Sequence, residues 1–257
     1  MNVAQQFARL VEIMAQLRAP AGCLWDREQT HQSLRQYLLE ETYEVLEAID
    51  QQQYAELHQE LGDLLLQVIF HAQIASEAGR FTINDVVKAI SEKLIRRHPH
   101  VFGDTKVNSV SEQSALWEKL KKTEGKNSVI DGVPVALPAL QRAQRLQQKA
   151  GTAGFDWENL AQVIEKFHSE LSELEQARQA GDASQIEEEF GDALFALVAV
   201  GRHLGLNAED ALRRACEKFS RRFRHLEKEL TTVGEYFDSV PLEKLDALWE
   251  MAKSEIA

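Results

Sequence analysis

The chain has 257 residues, of which 44% are hydrophobic, and a formal net charge of -12 at pH 7. This is enough apolar material for one large core or two modest ones, and the acidic charge argues against non-specific binding to nucleic acid or to an anionic membrane surface. No apolar run reaches the roughly 20 residues that span a bilayer, the N-terminus does not resemble a signal peptide, and the two cysteines have neither metal-ligand nor redox spacing. We therefore expect a cytoplasmic protein that binds neither nucleic acid nor membranes.

Long apolar periodicities of 3.6 residues and only five prolines predict an almost wholly helical chain. The first amphipathic stripe covers residues 3–17 and ends before Pro20. The loop GCLWDREQT follows, and Thr30 is the predicted cap of a helix that begins near Ser33 or Leu34.

This second helix begins an acidic hairpin. It carries Glu41 and Glu44, and a later stretch carries Glu60 and Asp63; within each pair the spacing of three residues places both carboxylates on nearly one helix face. Gln52 is the midpoint of both the inner and the outer acids. If the chain turns there, two antiparallel helices bring all four carboxylates to one level, and four facing acids require a cation.

A basic helix comes next. Residues 77–80 break the hairpin, and Thr82 or Asn84 can cap a helix from Asp85 to about Arg97. That helix carries three cations, Lys93, Arg96 and Arg97, and a later short helix carries Trp117 and Lys121.

The segment GKNSVIDGVPVALP has two glycines, two prolines and no helical pattern, so we assign it to the domain boundary. The predicted organisation is one domain over residues 1–125, a linker over 126–137 and a second domain over 138–257.

The second half repeats the first in the same order. Its acids are Glu170, Glu173, Glu189 and Asp192, all at one constant offset from those of the first half, and their midpoint is Gly181, within a turn sequence. The basic helix recurs with Lys218, Arg221 and Arg222, and the last helix recurs with Trp249 and Lys253. The elements best suited to chemistry are therefore duplicated.

These residue types favour binding of a phosphate ester. A Glu/Asp cluster without Cys or His suits Mg²⁺, with Mn²⁺ possible, better than zinc or copper, and cations on one helix can hold phosphate oxygens from the other side. A single acidic pair is more often a solvated helix face, but four acids placed symmetrically about a turn, twice, favour a site. Trp117 and Trp249 are equally consistent with interface anchors and with base-stacking platforms.

The pattern Glu40-Glu41-x-x-Glu44 followed by Glu60-x-x-Asp63 resembles the EExxE…ExxD signature of the all-α nucleoside triphosphate pyrophosphohydrolases. With GCLWD, EKLIRRHPHVF, LWExxK and two tandem copies, the chain is similar to the MazG family almost end to end. The resemblance implies an all-α fold of two tandem helical-bundle domains. It also implies Mg²⁺-dependent hydrolysis of ribo- and deoxyribonucleoside triphosphates between the α and β phosphates, giving monophosphate and pyrophosphate, by a homodimer whose sites use helices of associated subunits.

The resemblance also assigns residues to roles. The implied magnesium ligands are Glu41, Glu44, Glu60 and Asp63 in the first copy and Glu170, Glu173, Glu189 and Asp192 in the second. The implied catalytic residues are Glu40, Glu41, Glu44, Glu170 and Glu173. The implied substrate-binding residues are Lys93, Arg96, Arg97, Lys166, Ser169, Gln185, Glu188, Lys218, Arg221, Arg222 and Trp249.

Two positions depart from the family pattern. Ser169 replaces the acid that Glu40 provides in the first copy, and Leu24 stands where the family usually has proline in its GCPWD loop. Both copies are candidate sites, and we slightly favour the second because EKFSRRF and Trp249 follow the family's nucleotide-contacting pattern.

In the expected mechanism, metal ions on the acids neutralise the triphosphate and activate a water, Glu40 accepts the water's proton in the first copy, and the basic helix stabilises the departing pyrophosphate. Two hypotheses from other functional classes remain. A carboxylate-bridged di-metal redox bundle would use Glu-x-x-His motifs, and no His stands three residues after any of the eight paired hairpin acids. A catalytically silent helical interaction or regulatory module would bind neither Mg²⁺ nor a non-hydrolysable triphosphate in a calorimetric titration.

Overall fold

The computed structural model describes residues 1–107, 109, 112–113, 116 and 128–255. Every regular element in these residues is a helix, which confirms the predicted all-α class. The chain divides into two compact units, Met1–Val110 and Ser111–Ala257. Trp117, Lys121 and the first residues of the predicted linker 126–137 lie outside the described residues, so the exact domain boundaries stay a prediction.

The first unit is a helical bundle built around one hairpin. Two long helices, α3 and α4, form the most extensive contact of the unit, α1 and α5 pack against α4, and α2 packs against α1. The helices are α1 (Val3–Arg18), α2 (Leu24–Glu28), α3 (Arg35–Asp50), α4 (Tyr54–Glu77), α5 (Ile83–Arg97) and α6 (Pro99–Phe102).

The predicted turn lies where the symmetry of the acids places it. Gln52 adopts a φ of 56°, the left-handed conformation that reverses the chain between α3 and α4. The predicted Thr82 cap of α5 is also confirmed, since Thr82 and Asp85 exchange side-chain and backbone hydrogen bonds in a capping box.

The prediction that Thr30 caps α3 is wrong. The helix begins at Arg35 after Leu34, whereas Thr30 and Ser33 hydrogen-bond to each other in the turn before it. Leu34 is only 1% exposed and joins Met14, Ile69 and Phe70 in the core of the first unit. Packing of this leucine, and not a polar cap, therefore defines where α3 starts.

The second unit repeats the hairpin. Gly181, with a φ of 72°, ends its first long helix, and the Asp182 side chain accepts hydrogen bonds from Ser184 and Gln185 to cap the second. The helices are α7 (Ala139–Thr152), α8 (Leu160–Ala180), α9 (Ala183–His203), α10 (Ala208–Thr232) and α11 (Leu242–Glu255), with a short 3₁₀ turn at Phe237–Ser239. The hairpin partners α8 and α9 pack along each other, and α7 packs against α9 and α10.

Across the described residues, no helix is both long enough and apolar enough to cross a membrane.

Candidate functional site

The first hairpin gathers three of its four predicted acids. Glu41 on α3 and Glu60 and Asp63 on α4 each present a carboxylate oxygen, and these oxygens lie within 4.8 Å of one another. Glu41 and Glu60 are half-buried, while Asp63 is exposed. The two helices bring the acids together because both pairs are equally distant in sequence from the Gln52 turn.

The carboxylates of this cluster repel one another. Burial raises the pKa of Glu41, and the charges of Asp63 and Glu44 and a hydrogen bond with Glu44 raise it further. Partial burial is the main cause that raises the pKa of Glu60, and the charges of Glu44 and Asp63 raise it further. A cation bound here would relieve this repulsion.

Glu44 and Glu40 are two further predicted site residues on α3, outside the three clustered acids. Glu44 is exposed and not among the three closest carboxylates, although its charge acts on both Glu41 and Glu60. Glu40, the predicted proton acceptor, is exposed on α3.

Sequence reasoning missed Gln67. This side chain is only 5% exposed, and its hydrogen bond to Glu41 lowers the pKa of that carboxyl, opposing the neighbouring acids. Gln67 follows Asp63 by four residues on α4, which is one turn along the acidic face. The sequence signal that could have identified Gln67 is a polar residue at this spacing within an otherwise apolar run.

The second hairpin gathers Glu170 and Glu173 from α8 and Glu189 from α9, again with carboxylate oxygens within 4.8 Å of one another. Glu170 is buried, with 5% exposure. Partial desolvation raises the pKa of Glu189, and the charges of Glu173, Glu170 and Asp192 raise it further. Asp192, the fourth predicted acid, therefore acts on the cluster from outside the three closest groups.

The second cluster contains its own cation. Lys166 Nζ forms an ion pair with Glu170 Oε1, one turn along α8. This hydrogen bond, together with the charges of Glu170, Glu173 and Asp192, raises the pKa of Lys166. Ser169 Oγ donates a 2.8 Å hydrogen bond to Glu173 Oε1. Two predicted substrate-binding residues thus contact two predicted metal ligands.

The other predicted substrate-binding residues lie on neighbouring helices. Gln185 and Glu188 are exposed near the start of α9, and Glu188 contributes to the raised pKa of Glu189. The Trp249 ring on α11 is half-buried, with its centroid 5.1 Å from that of Phe219 on α10. The basic residues Lys93, Arg96, Lys218 and Arg221 are exposed, whereas Arg97 and Arg222 are half-buried. The roles of all these residues stay predictions.

Comparison with known proteins identifies relatives of the whole chain. The model of the MazG nucleotide pyrophosphohydrolase domain matches twice, at residues 29–102 and 157–227, and each match contains one acidic hairpin.

Several relatives match nearly all of the chain. The nucleoside triphosphate pyrophosphohydrolase/pyrophosphatase MazG of Thermotoga maritima is 48% identical over 250 residues, which cover 96% of this chain and 95% of that protein. The nucleoside triphosphate pyrophosphohydrolase of Escherichia coli K12 is 48% identical over 255 residues, covering 96% of this chain and 97% of that protein. The uncharacterized protein YabN of Bacillus subtilis is 46% identical over 252 residues, covering 96% of this chain and 52% of that protein.

Proposed function

This chain belongs to the MazG family of nucleotide pyrophosphohydrolases and is a nucleoside triphosphate pyrophosphohydrolase; from that premise we propose that it cleaves ribo- and deoxyribonucleoside triphosphates between the α and β phosphates and requires Mg²⁺. The observation that carries the proposal is the convergence of three carboxylates in each of two hairpins, with their oxygens within 4.8 Å of one another. Such a cluster repels itself unless a cation joins it.

The donor set fits a hard divalent cation. All of the clustered atoms are carboxylate oxygens, which Mg²⁺ and Mn²⁺ prefer, and soft ligands are absent from both clusters as described. The raised pKa values of Glu41, Glu60 and Glu189 are consistent with the same assignment, because burial, followed by the charges of neighbouring carboxylates, disfavours the ionised form of each and a bound cation would offset both effects. The proposed ligands are Glu41, Glu44, Glu60 and Asp63 in the first copy and Glu170, Glu173, Glu189 and Asp192 in the second.

When bound, Mg²⁺ would neutralise charge on the triphosphate and lower the pKa of a coordinated water. The side chains of the protein supply the other functions. Lys166, which pairs with Glu170, can donate to a phosphate oxygen once a triphosphate arrives. In the first copy the exposed Glu40 carboxylate can accept the proton of the attacking water. The cations of α5 and α10 can hold the departing pyrophosphate.

We propose that the second copy carries out most of the turnover. Its Glu170 is buried and neutralised by Lys166, and its Glu173 is oriented by Ser169. A ligand that other groups already hold in place loses less freedom when metal and substrate bind.

We further propose that the protein acts as a homodimer. Three exposed apolar side chains on α4 recur at the constant offset on α9, so each hairpin presents one uncovered apolar stripe: Leu61, Leu65 and Val68, and Phe190, Leu194 and Leu197. Contiguous apolar surface of this kind is typical of subunit contacts. Light scattering on the eluting protein should give twice the mass of one chain, and a monomer mass would contradict the dimer.

The proposed cleavage is tested by following products in ¹⁸O-labelled water with no other phosphatase present. Attack at the α phosphorus puts the label in the monophosphate and releases unlabelled pyrophosphate. Chelation of divalent ions should abolish release, and Mg²⁺ or Mn²⁺ should restore it. Orthophosphate as the first product would overturn cleavage between the α and β phosphates, and label in the pyrophosphate would show that water attacks the β phosphorus and not the α phosphorus.

A further inference from the structure

The second unit contains a cavity to which the proposed reaction assigns no role. It lies between α7, the loop that follows α7, and α9, and has a volume of about 390 Å³. This is within the range of small-molecule sites, roughly 300–1,000 Å³. Its wall is mainly apolar and aromatic, formed by Ile130, Leu146, Ala150, Phe155, Trp157 and Phe195.

Two residues that line this cavity each have one polar side-chain atom without a hydrogen-bond partner. Gln147 is only 6% exposed; its Nε2 donates to the Phe195 carbonyl at 2.8 Å, but its Oε1 is buried without a hydrogen-bond partner. Arg202 donates from both terminal nitrogens to Asp156, at 2.7 and 2.5 Å, which leaves its buried Nε unpartnered. One acceptor and one donor on residues of the cavity wall therefore have no partner in the folded protein, which is unfavourable unless a bound molecule supplies one.

The first unit has a large side chain at a position where the second unit has the small wall residue of the cavity. Aligning Gly22–Trp25 with Gly154–Trp157 places Arg18 at the position of Ala150, a wall residue of the cavity. The Arg18 side chain is 7% exposed, pairs with Glu77 at 2.7 Å, and lies 5.4 Å from the centre of the Phe70 ring. The small alanine thus leaves room that the first copy gives to an arginine.

We propose that this cavity binds a nucleobase. A planar ring fits between the aromatic walls and stacks on Trp157 or Phe195. The edge of every common base carries a hydrogen-bond donor beside an acceptor, which matches Gln147 Oε1 and Arg202 Nε in kind. The ligand class is therefore a base, and not an anion or a purely apolar molecule.

The base can come from two sources. It can be the base of the triphosphate itself, because Phe195 follows the acid Asp192 by three residues, about 4.5 Å along α9; in that case the inference rests on the proposed function. It can also belong to a separate nucleoside or nucleotide, and then the inference is independent of the hydrolytic chemistry.

Calorimetric titration of the full chain with adenosine, guanosine, cytidine and uridine, in a chelating buffer without metal, tests the cavity apart from catalysis. We expect saturable binding of at least one nucleoside. Ala150→Leu, which fills the cavity, and Gln147→Leu, which removes the acceptor, should each weaken binding about tenfold or more. Gln148→Leu is the matched control, because the neighbouring Gln148 hydrogen-bonds to Arg145 at the surface and does not line the cavity.

Kinetics separate the two sources. If the substrate's base occupies the cavity, both variants raise KM for a triphosphate about tenfold, and a nucleoside that binds in the titration competes with the triphosphate. If the site is separate, nucleoside binds without competing and KM is unchanged. The inference is overturned if no nucleoside binds and KM is unchanged, or if nucleosides bind equally to wild type and to both variants. Failure of pyrophosphate release would leave the metal-free titration valid, so the two proposals can fail separately.

Discussion

The two acidic hairpins share the spacing of their acids but differ in the groups that support them. In the first, Gln67, a neutral amide, hydrogen-bonds to Glu41; in the second, Lys166 pairs with Glu170. At the constant offset, Ala196 replaces Gln67 and Tyr37 replaces Lys166. Duplication preserved the groups suited to hold a metal ion, whereas the residues that neutralise and orient them diverged.

A second difference lies at the end of the first helix of each unit. Arg18 and Glu77 form an ion pair there in the first unit, whereas Ala150 borders a cavity in the second. One unit is closed by a charged pair and the other is open to a ligand. From both differences we expect the second unit to do more of the binding and the first to gain more stability at these positions, and each expectation can be tested by exchanging a single residue.

The comparison is tested most severely by removing one acid from each hairpin. Glu173→Gln should lower the rate of pyrophosphate release by on the order of 100-fold, because it removes a proposed ligand from the cluster that also contains Lys166. Glu44→Gln should lower it less than about fivefold, because we expect the first copy to contribute little turnover. Rates measured on both variants and on the double variant decide the division of labour.

Glu175→Gln is the control for these variants, since Glu175 is exposed on α8 and pairs with Arg178 outside the cluster. It should release pyrophosphate at the wild-type rate. Equal losses from Glu44→Gln and Glu173→Gln would mean that the two hairpins work equally, and a larger loss from Glu44→Gln would reverse the assignment.

The next largest effect is expected at Arg18. Arg18→Ala gives the first unit the residue of the second, and should lower its free energy of unfolding by about 2–3 kcal/mol, because the largely buried guanidinium pairs with Glu77 and with backbone carbonyls. Urea unfolding followed by circular dichroism measures the loss. Arg9→Ala, an exposed change on the same helix, should have little effect. A loss equal to that of the control would show that the ion pair does not stabilise the first unit.

The ion pair with Glu77 should also make the stability of the first unit depend on pH. The hydrogen bond from Arg18 holds the pKa of Glu77 below its ordinary 4.5. The stabilisation is therefore complete above the ordinary pKa and is lost as pH falls through the lowered one. Arg18→Ala should remove this part of the acid sensitivity.

Much of the fold and of the candidate site follows from local rules. The helices, the hairpin turns at Gln52 and Gly181 and the alignment of the acids follow from periodicity and from distances along the chain, which are properties of single segments. Thr30 failed as a cap because burial of Leu34 outweighed the polar signal. The contact of Gln67 with Glu41 and the cavity beside Gln147 depend on which helix faces which, and no single segment contains that information.

A smaller effect should distinguish the two clusters by their response to metal. Lys166→Met removes the cation paired with Glu170, so the second cluster becomes one charge more negative. The metal-free protein should melt at a lower temperature, and the rise in Tm on adding Mg²⁺ should be larger than in wild type, because a metal ion that binds the folded state more tightly stabilises it more. Tyr37→Met, the matched change in the first copy, removes no charge, and its Mg²⁺ response should stay as in wild type. An unchanged Mg²⁺ response in Lys166→Met would indicate that Lys166 and the metal do not share the site.

The smallest expected effect concerns a histidine pair that only the first unit contains. His31 and His71 stack with their Nδ1 atoms 2.8 Å apart, and Leu160 and Val200 stand at these positions in the second unit. Burial, followed by the charge of His31, lowers the pKa of His71 below its ordinary 6.5.

Because His71 binds a proton less tightly in the folded first unit than in the unfolded chain, the stability of this unit should decrease as pH falls through 6.5 toward the lowered pKa. His71→Val, which installs the residue of the second unit, should flatten the dependence of Tm on pH between about 7.5 and 5.5. His58→Val, at a surface histidine of α4, controls for the loss of any imidazole. Parallel pH profiles for wild type and His71→Val would mean that the stacked pair is protonated as readily in the folded unit as in the unfolded chain, and the two units would then respond alike to acid at these positions.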